Sequence, residues 1–221
     1  MADPSYGAIL FDLDGTLIDT AGHIVSSMRH ALEFHMGWAP DDPTLISGIG
    51  TPLDDQLIHH VRNRSGITLE GESLARVRQA YLDHNLDTHD AVVKAFPGAA
   101  QALAALRSMD IKLGIVTSKP VSTAERGLRV SGLSEFFGPI VGCDSVVHHK
   151  PHPEPVYLGL KLIGCAADEA LFVGDSPWDI VAGNRADVDT GVAQWGPFDD
   201  EAFLADPPTH WFRDFRALVE V

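Results

Sequence analysis

ILFDLDGTLIDT, residues 9–20, opens as a strand and then sets Asp12 and Asp14 at its carboxyl end. The run Ile9-Leu10-Phe11 is continuously apolar, which is the pattern of a strand buried on both faces of a parallel sheet rather than of a strand with one wet face. Outward from it, short apolar runs rich in Ile, Val and Phe recur at 111–117, 139–142, 170–174 and 189–193. Helical segments are predicted at 99–108, 121–131, 154–163 and 177–185. Pro97-Gly98 and Ser176-Pro177 read as helix entries, and Gly132 and Gly164 stand where helices should stop. This alternation predicts an α/β fold: a doubly wound, mainly parallel Rossmann-like sheet with right-handed crossovers.

The rhythm breaks between Thr20 and Phe96. Ile24, Val25, Met28, Ala31, Leu32 and Met36 follow a helical period that Gly37 ends. A second helix is expected to start with Thr51 as its N-cap and Pro52 at its first position, carrying Leu53, Leu57 and Val61. Leu74, Val77 and Tyr81 mark a third. The expected organisation is a core domain of residues 1–18 and 97–221, with a small helical cap domain, residues 19–96, inserted after the first strand.

The chain has 221 residues, 45% of them hydrophobic, and a formal net charge of −15. That charge argues against a nucleic-acid partner, whose binding rests on Lys and Arg, and against an anionic membrane surface. No stretch approaches the roughly 18 apolar residues of a membrane span, and no signal-peptide pattern opens the chain. Cys143 and Cys165 show no metal-ligand spacing and read as reduced thiols, so a cytoplasmic location is expected. An anionic substrate entering so acidic a molecule requires strong local positive charge, such as a metal ion.

Ligands of open α/β sheets bind beyond the carboxyl ends of the strands. Asp12, Asp14, Thr117 and Asp175 all fall at that rim. Lys150, in the proline-stiffened loop HHKPHPEP (148–155), adds a positive charge. Several carboxylates at one place need a cation or a shared proton. Oxygen-only ligands suit Mg2+, a hydroxyl and an ammonium suit a phosphoryl group, and a carboxylate can serve as nucleophile. Phosphoryl transfer to an aspartate fits all five residues.

FDLDGTLIDT, LGIVTSKP, HHKPHPEP and LFVGDSPWDI together resemble the four motifs of the haloacid dehalogenase (HAD) superfamily of phosphohydrolases. FPGA, KPHPEPVY and the size of the insert are most similar to the phosphoglycolate phosphatase-like branch with a helical (C1) cap. The resemblance implies that Asp12 is the nucleophile and a metal ligand. It implies that Asp14 is the acid/base and gives its main-chain carbonyl to the metal. It further implies that Thr117 binds the phosphoryl group, that Lys150 holds Asp12 and the phosphoryl oxygens, and that Asp175 completes an Mg2+ site supported by Asp179. Ser118 and Lys119 are added as substrate-binding candidates. In the cap, the turn SGIGT (47–51) corresponds to the family's specificity loop, which makes Gly48 and Thr51 candidates too.

Residues 20–93 contain no lysine, which removes a phosphonatase with a Schiff-base lysine in its cap. Asp14 argues against a dehalogenase. The expected activity is Mg2+-dependent hydrolysis of a small phosphorylated metabolite, phosphoglycolate or a similar monoester, through an aspartyl-phosphate. A sugar phosphomutase and a pyrophosphatase are the alternatives within the fold, and a non-catalytic binding protein is the alternative outside it. The sequence is silent on monomer against dimer.

Overall fold

The structure, a computed structural model, describes residues 6–220. Its main sheet holds six strands: β1 (Ala8–Phe11), β4 (Lys112–Val116), β5 (Ile140–Val141), β6 (Ala170–Gly174), β7 (Asp189–Ala193) and β8 (His210–Phe212). Their order is β5-β4-β1-β6-β7-β8, and every pairing is parallel. β1 therefore lies between β4 and β6, and all four of its residues are buried. Its side chains alternate between two cores, as strand geometry requires. Ile9 and Phe11 pack with Leu103 and Leu106 of α5 (Ala99–Ser108) and Leu128 of α6 (Val121–Val130). Ala8 and Leu10 pack with Val156 and Leu160 of α7 (Glu154–Ile163) and Ala182 of α8 (Pro177–Arg185). Burial on both faces is the physical reason β1 has no polar residue until the chain reaches the rim.

The insert is four helices: α1 (Ala21–Met36), α2 (Asp42–Ile46), α3 (Leu53–Ser65) and α4 (Gly71–Val92). Ile24, Met28 and Leu32 of α1, Leu57 and Val61 of α3, and Val77 and Tyr81 of α4 form a separate apolar core. The two passages between core and insert pair as a short antiparallel ribbon, β2 (Ile18–Asp19) with β3 (Lys94–Ala95). No described helix is long and apolar enough to cross a membrane.

The predicted helices and main-sheet strands are present, with bounds shifted by no more than two residues wherever bounds are predicted; the helix marked by Leu74, Val77 and Tyr81 runs from Gly71 to Val92. The N-cap expected at Thr51 is not there. Pro52 occupies the cap position, and the Thr51 hydroxyl donates back to the Gly48 carbonyl (2.8 Å), closing the cap turn on itself. The period and spacing arguments also passed over α2, the β2–β3 ribbon and the edge strand β8.

Candidate active site

Three adjacent strands deliver the floor of the site. Asp12 leaves β1 with its N–H still bonded to the Val173 carbonyl of β6 (2.8 Å), Thr117 follows β4, and Asp175 follows β6. Lys150 arrives from the loop before α7, and its ammonium is buried. It donates to Asp12 Oδ1 (2.8 Å), to Asp179 Oδ1 (2.6 Å) and to the Val116 carbonyl (3.3 Å). Asp179 sits in the first turn of α8, where its Oδ2 accepts from the Ser176 N–H (3.1 Å) and hydroxyl (2.6 Å). Both of its oxygens are thus engaged, so it braces Lys150 and the α8 entry. Asp175 Oδ1 accepts from the Thr16 hydroxyl (2.7 Å), and its Oδ2 is buried with no partner.

One oxygen from each of Asp12, Asp175 and Asp179 lies within 4.8 Å of the others. Three carboxylates against the single ammonium of Lys150 leave two uncompensated negative charges in a buried space. The ionisation behaviour follows. Burial pushes the Asp12 carboxyl up to about 7; Lys150 opposes this, while Asp179 and Asp14 add to it. Burial, then Asp12 and Asp179, hold Asp175 well above the usual carboxylate range. Burial alone would lower Lys150, but Asp12 and Asp179 outweigh it and keep the ammonium charged. A cluster this acidic suits a dication.

Local backbone geometry agrees with that fit. Gly15 has φ +85, and a Cβ there would stand 2.3 Å from the orphan Asp175 Oδ2. Only glycine keeps this approach open. The oxygen-only donor set around the unpartnered Asp175 oxygen fits a hard divalent cation such as Mg2+.

Asp14 does not join this group. Its Oδ1 accepts from the Lys119 ammonium (2.6 Å) and the Thr20 hydroxyl (2.6 Å), so its carboxylate points to the cavity mouth and any share in a metal site falls to its main-chain carbonyl. Asp12, Asp14, Thr117, Ser118 and Lys119 line one cavity of about 120 Å³, closed above by the insert. That is well under the ~300–1,000 Å³ of pockets for drug-sized ligands. Pro120 and Thr123 also line it, so the amino end of α6 borders the cavity; its first N–H groups are engaged, Val121 donating to Asp144 Oδ1 (3.0 Å) and Thr123 to the Pro120 carbonyl (3.0 Å).

The insert supplies a mostly apolar roof: Ile24, Ile49, Leu53, Tyr81 and Leu82, with Thr51, Gln56 and Asn85 as its polar members. Among the described residues no Lys or Arg of the insert lines the cavity; Arg62 and Arg64 are exposed on α3. Of the two candidates in the cap turn, Thr51 lines the cavity and Gly48 does not. Gly48 instead faces the Gln56 and His60 side chains, because the 48–51 turn folds its carbonyl toward Thr51. Ser118 reaches the cavity, but its hydroxyl donates to the Gly50 carbonyl (2.6 Å) and ties core to insert.

Several contributors carried no signal in the sequence. Thr16 fixes Asp175, and its own carbonyl accepts from the Trp195 indole N–H (2.8 Å) across 179 residues. Thr20, Tyr81, Gln56 and Asn85 are placed only by packing of the insert. Ser176 was legible as a helix entry, since an N-cap serine followed by Asp179 at the third helical position is a capping pattern.

Residues 9–193 match the haloacid dehalogenase-like hydrolase family. The chain is 34% identical over 218 residues to a protein named pyrophosphatase PpaX of Oceanobacillus iheyensis, covering 98% of this chain and 97% of that one. It is 36% identical over 221 residues to the pyrophosphatase PpaX of Bacillus velezensis, covering 100% and 98%. Among solved structures, a protein of Bacteroides fragilis assigned as a haloacid dehalogenase-like hydrolase superposes with a TM-score of 0.87 at 28% identity, over 96% of this chain and 99% of that one.

Proposed function

The chain belongs to the haloacid dehalogenase-like hydrolases, and on that premise we propose that it is an Mg2+-dependent phosphatase of small phosphate monoesters that works through an aspartyl-phosphate on Asp12. The observation that carries the reading is the position of Asp12. It is held by Lys150 at 2.8 Å, stands within 4.8 Å of Asp175 and Asp179, and opens into the cavity that Thr117 and Asp14 also line.

In the first step an Asp12 oxygen attacks phosphorus, and the bond from phosphorus to the alcohol oxygen breaks as Asp14 gives that oxygen a proton. In the second, Asp14 takes a proton from water, whose oxygen attacks the aspartyl-phosphate and returns Asp12 and inorganic phosphate. Thr117 holds the phosphoryl oxygens through its hydroxyl, and Lys150 keeps Asp12 in line. Mg2+, held by Asp12, Asp175 and the Asp14 carbonyl, supplies the charge that offsets the carboxylates and the phosphoryl oxygens.

Inorganic pyrophosphate is the second reading, favoured by the pyrophosphatase names of the relatives at 34–36% identity. The roof favours the monoester, since it offers the leaving half of the substrate apolar side chains and neutral hydrogen-bonding groups but no cation. The same absence stands against a phosphomutase, which must grip a second phosphate.

Phosphate release from pyrophosphate and from a panel of phosphomonoesters, each with Mg2+ and with EDTA, tests the proposal. Turnover is expected only with Mg2+, to vanish in Asp12→Asn, and to have its highest kcat/KM on a monoester. Activity that survives EDTA or Asp12→Asn would overturn the mechanism, and a clear preference for pyrophosphate would replace the monoester reading with the second.

A further inference from the structure

Outside the catalytic cavity, the loop that carries Lys150 presents a second set of ligating side chains. We infer that His148, His152 and Glu154 form a peripheral site for a borderline transition ion such as Zn2+, distinct from the all-oxygen centre at Asp12. One ligand atom from each of the three lies within 4.8 Å of the other two. The His148 and His152 rings stack with centroids 4.5 Å apart, and His148 Nδ1 is 2.7 Å from Glu154 Oε2.

The site is already built. Glu154 Oε1 accepts from the Val147 N–H (3.0 Å) and Oε2 from the His148 N–H (3.0 Å), which fixes the carboxylate against the loop it would join in ligation. The turn between the ligands is closed by the His152 N–H on the His149 carbonyl (2.9 Å), and Arg185 ties the Pro151 carbonyl to α8 (3.0 Å). Both imidazoles are exposed, so an ion reaches them directly from solvent.

Ligand chemistry separates the two centres. Two imidazole nitrogens and one carboxylate suit Zn2+, Co2+ or Ni2+, with water completing the shell. Mg2+ prefers oxygen and gains little from imidazole. Lys150 lies between His148 and His152 in sequence, and its ammonium reaches Asp12 and Asp179. An ion bound across 148–154 therefore clamps both sides of the segment that presents the catalytic lysine.

Calorimetric titration of the whole protein with Zn2+, in excess Mg2+ that keeps the catalytic centre filled, tests the inference. One Zn2+ per chain is expected. His152→Gln should weaken it at least tenfold, and His148→Gln with His152→Gln should abolish it, while Mg2+-supported turnover and melting temperature stay those of the native protein. Co2+ in place of Zn2+ should develop visible absorption bands in the native protein that the double variant lacks. Zn2+ binding that disappears as Mg2+ is raised belongs to the catalytic centre and overturns the inference. Failure of the native protein to bind Zn2+, or equal binding by the double variant, overturns it too. None of these outcomes depends on which phosphate compound the enzyme hydrolyses.

Discussion

At Gly50 the insert seats directly against the core, and replacing it with alanine isolates the cost of that contact. Its φ is +96, and a Cβ built there would lie 2.7 Å from the Ser176 hydroxyl oxygen and 2.8 Å from Cδ1 of Trp178. Two penalties follow, and they act on different equilibria. Holding an L-residue in the left-handed region costs about 1–2 kcal/mol whether or not the insert touches the core. The steric overlap costs about 1–3 kcal/mol and exists only when the 47–51 turn is seated on Ser176 and Trp178.

The second penalty is charged to the closed state alone, so Gly50→Ala should lower kcat/KM by about 5–150-fold. The first should lower the melting temperature by a few degrees. Gly48→Ala is the matched control two residues away: its Cβ would meet only the ends of the His60 and Gln56 side chains, at 3.3–3.5 Å, and its φ is ordinary. Steady-state kinetics on p-nitrophenyl phosphate beside thermal melts reads both. If Gly50→Ala keeps kcat/KM within about twofold of the native enzyme, then the seating of this turn is not part of turnover, and the reasoning fails.

Removing the divalent ion should change how stability depends on pH. Asp12 binds its proton up to about 7 in the folded protein against 3.8 for a free side chain, so the metal-free protein should lose stability as pH rises across that window; saturating Mg2+ should abolish the decline in thermal melts. With Mg2+ bound, an opposite slope remains. His23 is lowered to about 4 from 6.5, by burial first and then by the Lys119 charge, so stability should fall as pH drops from 6.5 toward 4, and His23→Gln should flatten that slope. Asp14→Asn should reduce kcat on an alkyl phosphate by about 10²–10⁴-fold and on p-nitrophenyl phosphate by distinctly less, because a good leaving group needs little protonation; equal losses would remove the acid role.

What could be read from the chain follows from how local each signal is. β1, β4 and β6 were legible because strands buried on both faces have no choice but continuous apolar side chains, and α5, α7 and α8 because Gly and Pro mark their ends. The ribbon β2–β3 has two residues per strand and β8 has three, too few to show a period. At the site, Asp12, Thr117, Lys150 and Asp175 could be named from motif position, and the strand order brings them to one rim. Lys119 is different. The sequence makes it a substrate-binding candidate, and in the structure it is the partner of Asp14 (2.6 Å), a pairing between positions 105 residues apart that no local pattern encodes. Thr16, Thr20 and Asn85 were invisible for the same reason, since each acts through a neighbour that only tertiary packing supplies.

The charges divide the cavity into zones, and that division bears on the substrate. The floor, with Asp12, Asp175 and Asp179 around Lys150, carries two net negative charges when fully ionised, which a dication would balance. Beside it stands a balanced pair, Asp14 with Lys119, so the proposed acid/base also keeps Lys119 from serving freely as a phosphate cation. What remains for the phosphoryl oxygens is the Thr117 hydroxyl and the charge a divalent ion would bring, enough for one dianionic group. Every further negative charge must sit under Ile24, Ile49, Leu53 and Tyr81, where the roof supplies no cation to offset its desolvation. A substrate whose leaving half is neutral meets no such penalty. The expected order of kcat/KM is therefore a neutral-alcohol phosphate above phosphoglycolate, and phosphoglycolate above pyrophosphate. The reverse order, measured at saturating Mg2+, would mean that a cation reaches the roof from elsewhere, with Arg62 and Arg64 of α3 the first residues to mutate.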